Sequence, residues 1–186
     1  MLQFVKIEER STKQESMITA FTDGACRDNG KARAQGSYAV VWPQHPYLNE
    51  SRLLPCDGYH HTNNRAELMG VIMAIEIADA VIDPHQKRTL VVYTDSMLTI
   101  NSLTKWMPSW KRAGWKKMTD KKPVANMDLL KKLDEMLSKR KTVFRHVRAH
   151  TNGKSFEAVH NDMVDKLAKN AIERNQSQVE NFLKNA

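Results

Sequence analysis

Four acidic residues in distinctive settings carry the chemistry this chain can do. Asp23 sits in Phe-Thr-Asp-Gly, Glu67 in Asn-Asn-Arg-Ala-Glu-Leu and Asp95 in Tyr-Thr-Asp-Ser. Asp165 lies in Asn161-Asp162-Met163-Val164-Asp165-Lys166-Leu167-Ala168. Asp23 and Asp95 end apolar runs, and Glu67 and Asp165 fall at helix-like positions. A carboxylate set against a core is costly unless it is paired. A hard divalent cation such as Mg²⁺ is its natural partner, because such ions prefer oxygen ligands. The net charge of +8 favours a polyanionic partner, nucleic acid before an anionic membrane surface. Carboxylates converging on Mg²⁺ in a basic protein point to phosphodiester chemistry.

These acids need elements to hold them. Met17 to Asp23 reads as a strand, Arg27 to Gln35 as a basic turn, and Gly36 to Trp42 as a second strand stopped by Pro43 and Pro46. A third strand is predicted within Ser51 to Tyr59, giving an antiparallel meander. Asn63 or Asn64 caps a helix reaching about Ala80, with Leu68, Val71, Ile72 and Ile75 forming its apolar stripe. Thr89 to Thr94 is a nearly continuous apolar run, as expected of a parallel strand buried on both faces. Ser96 starts another helix. Met127 to Leu137 is amphipathic, Thr142 to Val147 is the last strand, and Asn161 to Ile172 the last helix. The order βββαβα, insert, αβα predicts an α/β fold, a mixed five-stranded sheet covered by helices on both faces. If the strands ending at Asp23 and Asp95 are parallel neighbours, the two carboxylates sit side by side at the strand ends, where open α/β sheets bind ligands.

Lys105 to Lys122 holds seven Lys or Arg against one Asp, together with three of the four Trp. Basic side chains neutralise phosphates, and Trp rings offer flat faces to sugars or bases. The structural alternative is a charged helical hairpin with a small Trp core. Both uses are expected, with at least one Trp facing substrate.

The motifs Thr-Asp-Gly, Asn-Asn-Arg-Ala-Glu-Leu, Tyr-Thr-Asp-Ser and Asn-x-x-x-Asp-x-Leu-Ala, in this order, resemble those of type 1 ribonuclease H. The segment Trp106-Met-Pro-Ser-Trp110-Lys-Arg-Ala-Gly-Trp115-Lys resembles that family's basic protrusion. The resemblance implies an endonuclease that cuts the RNA strand of RNA/DNA hybrids with two Mg²⁺ ions, Mn²⁺ being the alternative metal. It implies that Asp23, Glu67, Asp95 and Asp165 are the catalytic, metal-binding carboxylates and that His150 assists turnover. Asn29, Asn63 and either Gln35 or Asn64 match readers of RNA 2′-hydroxyls. Thr62 and Asn126 match holders of a DNA phosphate. Trp106, Trp110, Lys111, Arg112, Trp115, Lys116 and Lys117 of the protrusion would bind substrate. The alternatives are a catalytically silent hybrid-binding module or another nuclease on the same fold. Asp162, in the same helix turn, rivals Asp165.

The expected organisation is an N-terminal extension (1–15), a catalytic domain (16–173) with the protrusion at about 105–123, and a C-terminal tail (174–186). The loop Thr151 to Val159 looks longer than usual for the family. Two cysteines without a Cys-x-x-Cys argue against a disulfide framework or a zinc site. The charged N-terminus has no apolar signal core. A cytoplasmic monomer is expected, or a nuclear or mitochondrial one for a eukaryotic source, without membrane contact. The tail Gln176-Ser-Gln-Val179-Glu-Asn-Phe182-Leu183 resembles the motif by which replication proteins dock on a sliding clamp. The alternative is that this face folds back on the domain as the end of the last helix.

Overall fold

The computed structural model describes residues 17–149 and 153–185. Five strands form one mixed sheet: β1 (Met17–Arg27), β2 (Gln35–Val41), β3 (Glu50–Leu53), β4 (Thr89–Thr94) and β5 (Thr142–His146). Their spatial order is β3-β2-β1-β4-β5. The pairs β1–β2 and β2–β3 are antiparallel, and β1–β4 and β4–β5 parallel. The helices are α1 (Asn63–Ile77), α2 (Met97–Asn101), α3 (Met107–Arg112), α4 (Met127–Lys139) and α5 (Phe156–Asn185). A π-helical turn, Ala78–Ile82, continues α1, and another, Ser102–Trp106, joins α2 to α3.

Strand alternation splits the buried residues into two cores. Ile18 and Ala20 of β1, Leu90 and Val92 of β4, Val71, Ile72 and Ile75 of α1 and Leu130 and Leu133 of α4 pack on one face of the sheet. Phe21, Ala39 and Val41 meet Val164 and Ala168 of α5 on the other. Helices therefore cover both faces, as the run of strands and helices predicts. Each fully buried Val, Leu or Ile contributes roughly 1.5–3 kcal/mol. At the far end of α1, Asp79 and Asp83 hold the buried Arg140 that follows α4.

Several predicted boundaries move. β1 runs four residues past Asp23, because its partner β2 continues to pair through Arg27↔Gln35. Asp23 is thus not a strand end; only the parallel pairing with β4 stops before it, at Phe21↔Tyr93. β3 is shorter than predicted and ends two residues before Pro55, which has no N–H for a ladder. Thr62, not Asn63 or Asn64, caps α1: its Oγ1 accepts the Arg65 N–H at 3.1 Å. The last helix begins at Phe156 and runs to Asn185, so residues 156–159, predicted as loop, are helical, and so is most of the stretch after 173.

Candidate active site

Register brings the first two acids together. Phe21 and Tyr93 are partners in the parallel ladder, and Asp23 and Asp95 lie two residues further along their chains. Glu67 arrives from the second turn of α1 through a close backbone contact. A Cβ on Gly24 would stand 2.3 Å from the Glu67 nitrogen, and one on Gly70 3.3 Å from the Asp23 carbonyl oxygen. Small residues at 24 and 70 thus let the helix backbone lie on β1.

Asp23, Glu67 and Asp95 each direct a carboxylate oxygen to one spot, all within 4.8 Å of one another. Asp23 and Glu67 are buried, 6% and 4% exposed. Burial, then the charges of Asp95 and Asp165, push the Asp23 carboxyl up to about 7, against the smaller opposing effect of the Gly24 N–H. That N–H donates to Asp23 Oδ1 at 2.8 Å. Burial, followed by the charges of Asp23 and Asp95, raises Glu67 well above the usual carboxylate range. Glu67 Oε2 is buried without a hydrogen-bond partner. An all-oxygen donor set with an unsatisfied buried oxygen and crowded negative charge fits a hard divalent cation, which would reverse these penalties.

Asp165 lines the same cleft, of about 670 Å³, and its carboxylate is ion-paired with Lys169 at 2.7 Å, outside the converging trio. Asp162 points elsewhere: it is 58% exposed and bridges Lys166. Of the two acids in that helix turn, Asp165 is the one in the cleft.

The substrate candidates fall in three groups. Asn29 and Asn63 are exposed neighbours, Asn29 Oδ1 accepting the Asn63 N–H at 3.2 Å, and Asn63 lines the carboxylate cleft. Asn64 is exposed beside it. Thr62 and Asn126 precede α1 and α4, whose first turns are tied by Arg65 and Asp128 at 2.7 Å. In the basic insert, Trp110 and Trp115 pack against the main core, while Trp106 is 39% exposed. Its ring lies 5.8 Å from that of Trp110. Arg112, Lys116 and Lys117 are exposed, but Lys111 is paired with Asp134 at 2.8 Å. Gly114 and Trp115 both adopt positive φ, 63° and 61°, turning the chain sharply into the loop that carries Lys116 and Lys117. His150 lies outside the described residues, as do the side chains of Val179, Phe182 and Leu183 in the clamp-like motif. Gln176 of that motif is engaged with the sheet: its amide accepts from Arg27 and donates to Gln35 at 3.2 Å.

Several residues around the acids have roles that the sequence does not announce. Asn161, 4% exposed, donates from Nδ2 to Asp95 Oδ2 at 3.3 Å. His146 donates from Nε2 to the Asp95 carbonyl at 3.2 Å. Asn161 and Arg65 stand inside the very motifs that mark the acids, which was the available signal. Nothing local marks His146, whose neighbour is set by the β4–β5 register.

The family model described as RNase H matches residues 15–173. "Ribonuclease H" of Erwinia tasmaniensis is 34% identical over 83% of this chain and 88% of its own length. "Ribonuclease H1" of Mus musculus is 36% identical over 87% of this chain but 52% of its own length, and the rat protein gives 51%. The chain thus spans about half the length of these rodent relatives. Among solved structures, LC9-RNase H1, described as a type 1 RNase H with the type 2 active-site motif, aligns with a TM-score of 0.61 at 22% identity, covering 84% of this chain and 72% of that one. With the family model spanning most of the chain and a bacterial relative matched nearly end to end, the chain belongs to the RNase H family.

Proposed function

We propose that this chain hydrolyses the RNA strand of RNA/DNA hybrids, with Asp23, Glu67, Asp95 and Asp165 holding two Mg²⁺ ions. The observation that carries the reading is the convergence of three carboxylates within 4.8 Å around a buried, unpartnered Glu67 oxygen. Bound in such a cluster, paired divalent ions supply an activated water and stabilise the leaving oxygen of an in-line displacement.

The chain's own residues do the rest. Asp23 feels the charges of Asp95 and Asp165 and converges with Glu67, which makes it the candidate shared ligand; its raised proton affinity must be overcome before metal is held. Asn161 and His146 fix Asp95 from two sides. Asn29 and Asn63, side by side at the mouth of the cleft, can donate to and accept from 2′-hydroxyls, the group that separates RNA from DNA. Trp106, Arg112, Lys116 and Lys117 offer an aromatic face and positive charge to the backbone of the substrate.

The test is cleavage of RNA/DNA, RNA/RNA and DNA/DNA duplexes of one sequence, with and without Mg²⁺. Metal-dependent cutting of only the RNA strand of the hybrid is expected. A hybrid bound but left intact would indicate a silent binding module, and cutting of the DNA duplex a general nuclease.

A further inference from the structure

Past Glu173, its last residue lining the cleft, α5 continues to the β1–β2 turn. Gln176 lies beyond the residues matched by the family model, which end at 173. It follows Asp165 by eleven positions, about three helical turns, so the two share a face of the helix. Its carboxamide bridges two side chains at opposite ends of the β1–β2 turn: Oε1 accepts from Arg27 Nη1, and Nε2 donates to Gln35 Oε1 at 3.2 Å. Two residues earlier, on another side of the helix, Arg174 donates to Ser51 Oγ at 3.1 Å, fixing the helix over β3.

Arg27 is the residue this bridge orients. Strand alternation puts it on the same face of β1 as Asp23, and it lines the cleft with the carboxylates. The other cation lining that cleft, Lys169, is neutralised by Asp165. Among the described residues Arg27 has no carboxylate within ion-pair distance, although Glu173 also lines the cleft; its partner is a neutral amide. A neutral acceptor directs a guanidinium without cancelling its charge, and leaves other N–H groups free for phosphate.

We infer that Arg27, aimed by Gln176, contacts a phosphodiester of the bound nucleic acid away from the scissile bond. Arg27 lies four steps along the strand from Asp23, roughly 13 Å at 3.3 Å per residue. That distance places the contact roughly two to four nucleotides from the scissile phosphate, on a 3.4 Å axial rise per nucleotide. Arg27 is the contact residue and Gln176 a positioning residue that acts through it.

The inference rests on a hybrid as substrate, so it is tested by binding rather than cleavage. Affinity of an RNA/DNA hybrid would be measured in EDTA across a salt series for the full chain and for Arg27→Ala, Arg27→Lys, Gln176→Ala and the Arg27→Ala/Gln176→Ala double variant. Arg27→Ala is expected to weaken binding about fivefold and to reduce the salt slope by about 0.7–0.9. Arg27→Lys should keep the slope. Gln176→Ala should weaken binding two- to threefold, and the double variant should match Arg27→Ala alone. An unchanged salt slope in Arg27→Ala would overturn the phosphate contact. Losses that multiply in the double variant would overturn the action of Gln176 through Arg27. Failure of the wild type to cut a hybrid with Mg²⁺ would count against the proposed activity and leave these binding comparisons intact.

Discussion

The rings of Phe21 and Tyr93 stack at 4.7 Å and 13° between adjacent parallel strands, directly behind the acids that follow them. The stack locks the two strands in register. One residue of slip would send Asp23 or Asp95 to the opposite face of the sheet. His160 adds a third ring, 5.2 Å from Phe21, at the start of α5. The site therefore stands on an aromatic floor that ties β1, β4 and α5 together.

Asp95→Asn keeps size and removes charge. Asn161 and His146 still hold the residue, so the fold should be retained. Hybrid cleavage is expected to fall by at least ~10², about 3 kcal/mol of transition-state stabilisation. Steady-state rates beside circular dichroism check this; a folded variant cutting at a near-native rate would remove Asp95 from the metal site.

The crowded acids make metal-free stability depend on pH. Asp23 binds its proton more tightly in the folded protein, at about 7 against an ordinary 3.8. The folded state then holds the extra proton between these values, so stability is full below pH 3.8 and is lost as pH rises through 7. Asp23→Asn should be more stable than the wild type at pH 8 in EDTA, by roughly 2 kcal/mol or about 5 °C in Tm. The difference should vanish near pH 4. Added Mg²⁺ should raise the wild-type Tm more than that of the variant. Equal Tm values at pH 8 in EDTA would contradict the strained cluster.

The basic insert does not act uniformly. Lys111 already has Asp134 as a partner, whereas Lys116 and Lys117 are exposed and unpaired among the described residues. Lys116→Ala with Lys117→Ala should raise KM and reduce the salt slope of binding by up to about 2, with kcat little changed. Lys111→Ala should change the slope less than either. A larger effect from Lys111 would mean that its ion pair opens on binding.

Gly24→Ala tests the contact between β1 and α1. The added methyl would meet Glu67 N at 2.3 Å and Ala66 C at 2.6 Å, backbone atoms that cannot rotate away. A cost of about 1–3 kcal/mol is expected. Because the relief must shift Glu67, activity should drop more than 10-fold. Native Tm and kcat in this variant would show that the helix sits further from the strand.

The sheet was readable because Thr89 to Thr94 is a nearly continuous apolar run and the first two strands carry clear breaks. Asp95 follows the end of its strand and Glu67 lies near the start of its helix, as their motifs suggest, whereas Asp23 sits within β1, where only the parallel pairing stops before it. What stayed hidden depends on contacts between distant segments. No local pattern shows that β2 holds β1 extended to Arg27, or that Thr62 wins the cap over two asparagines. The C-terminal reach of α5 stood in the sequence only as one of two readings of the tail, because the stripe of Val164, Leu167, Ala168 and Ala171 fades after Ile172. Beyond it the helix is held by polar contacts from Arg174 and Gln176, which leave no apolar period. Trp106 and Trp110 differ in exposure although both are Trp in one basic run, since only the fold decides which ring meets the core.

One unbroken helix carries both Asp165 and Gln176, roughly 16 Å apart at 1.5 Å per residue. It behaves as a lever pivoted on Val164 and Ala168, which are fully buried against the sheet. A tilt of about 5° displaces the far end by roughly 1.4 Å, as large as the misplacements that cost enzymes about 10² in rate. The acid beside the pivot and the amide beyond it share this one element, so a substitution that reseats the whole helix on the sheet moves the two together.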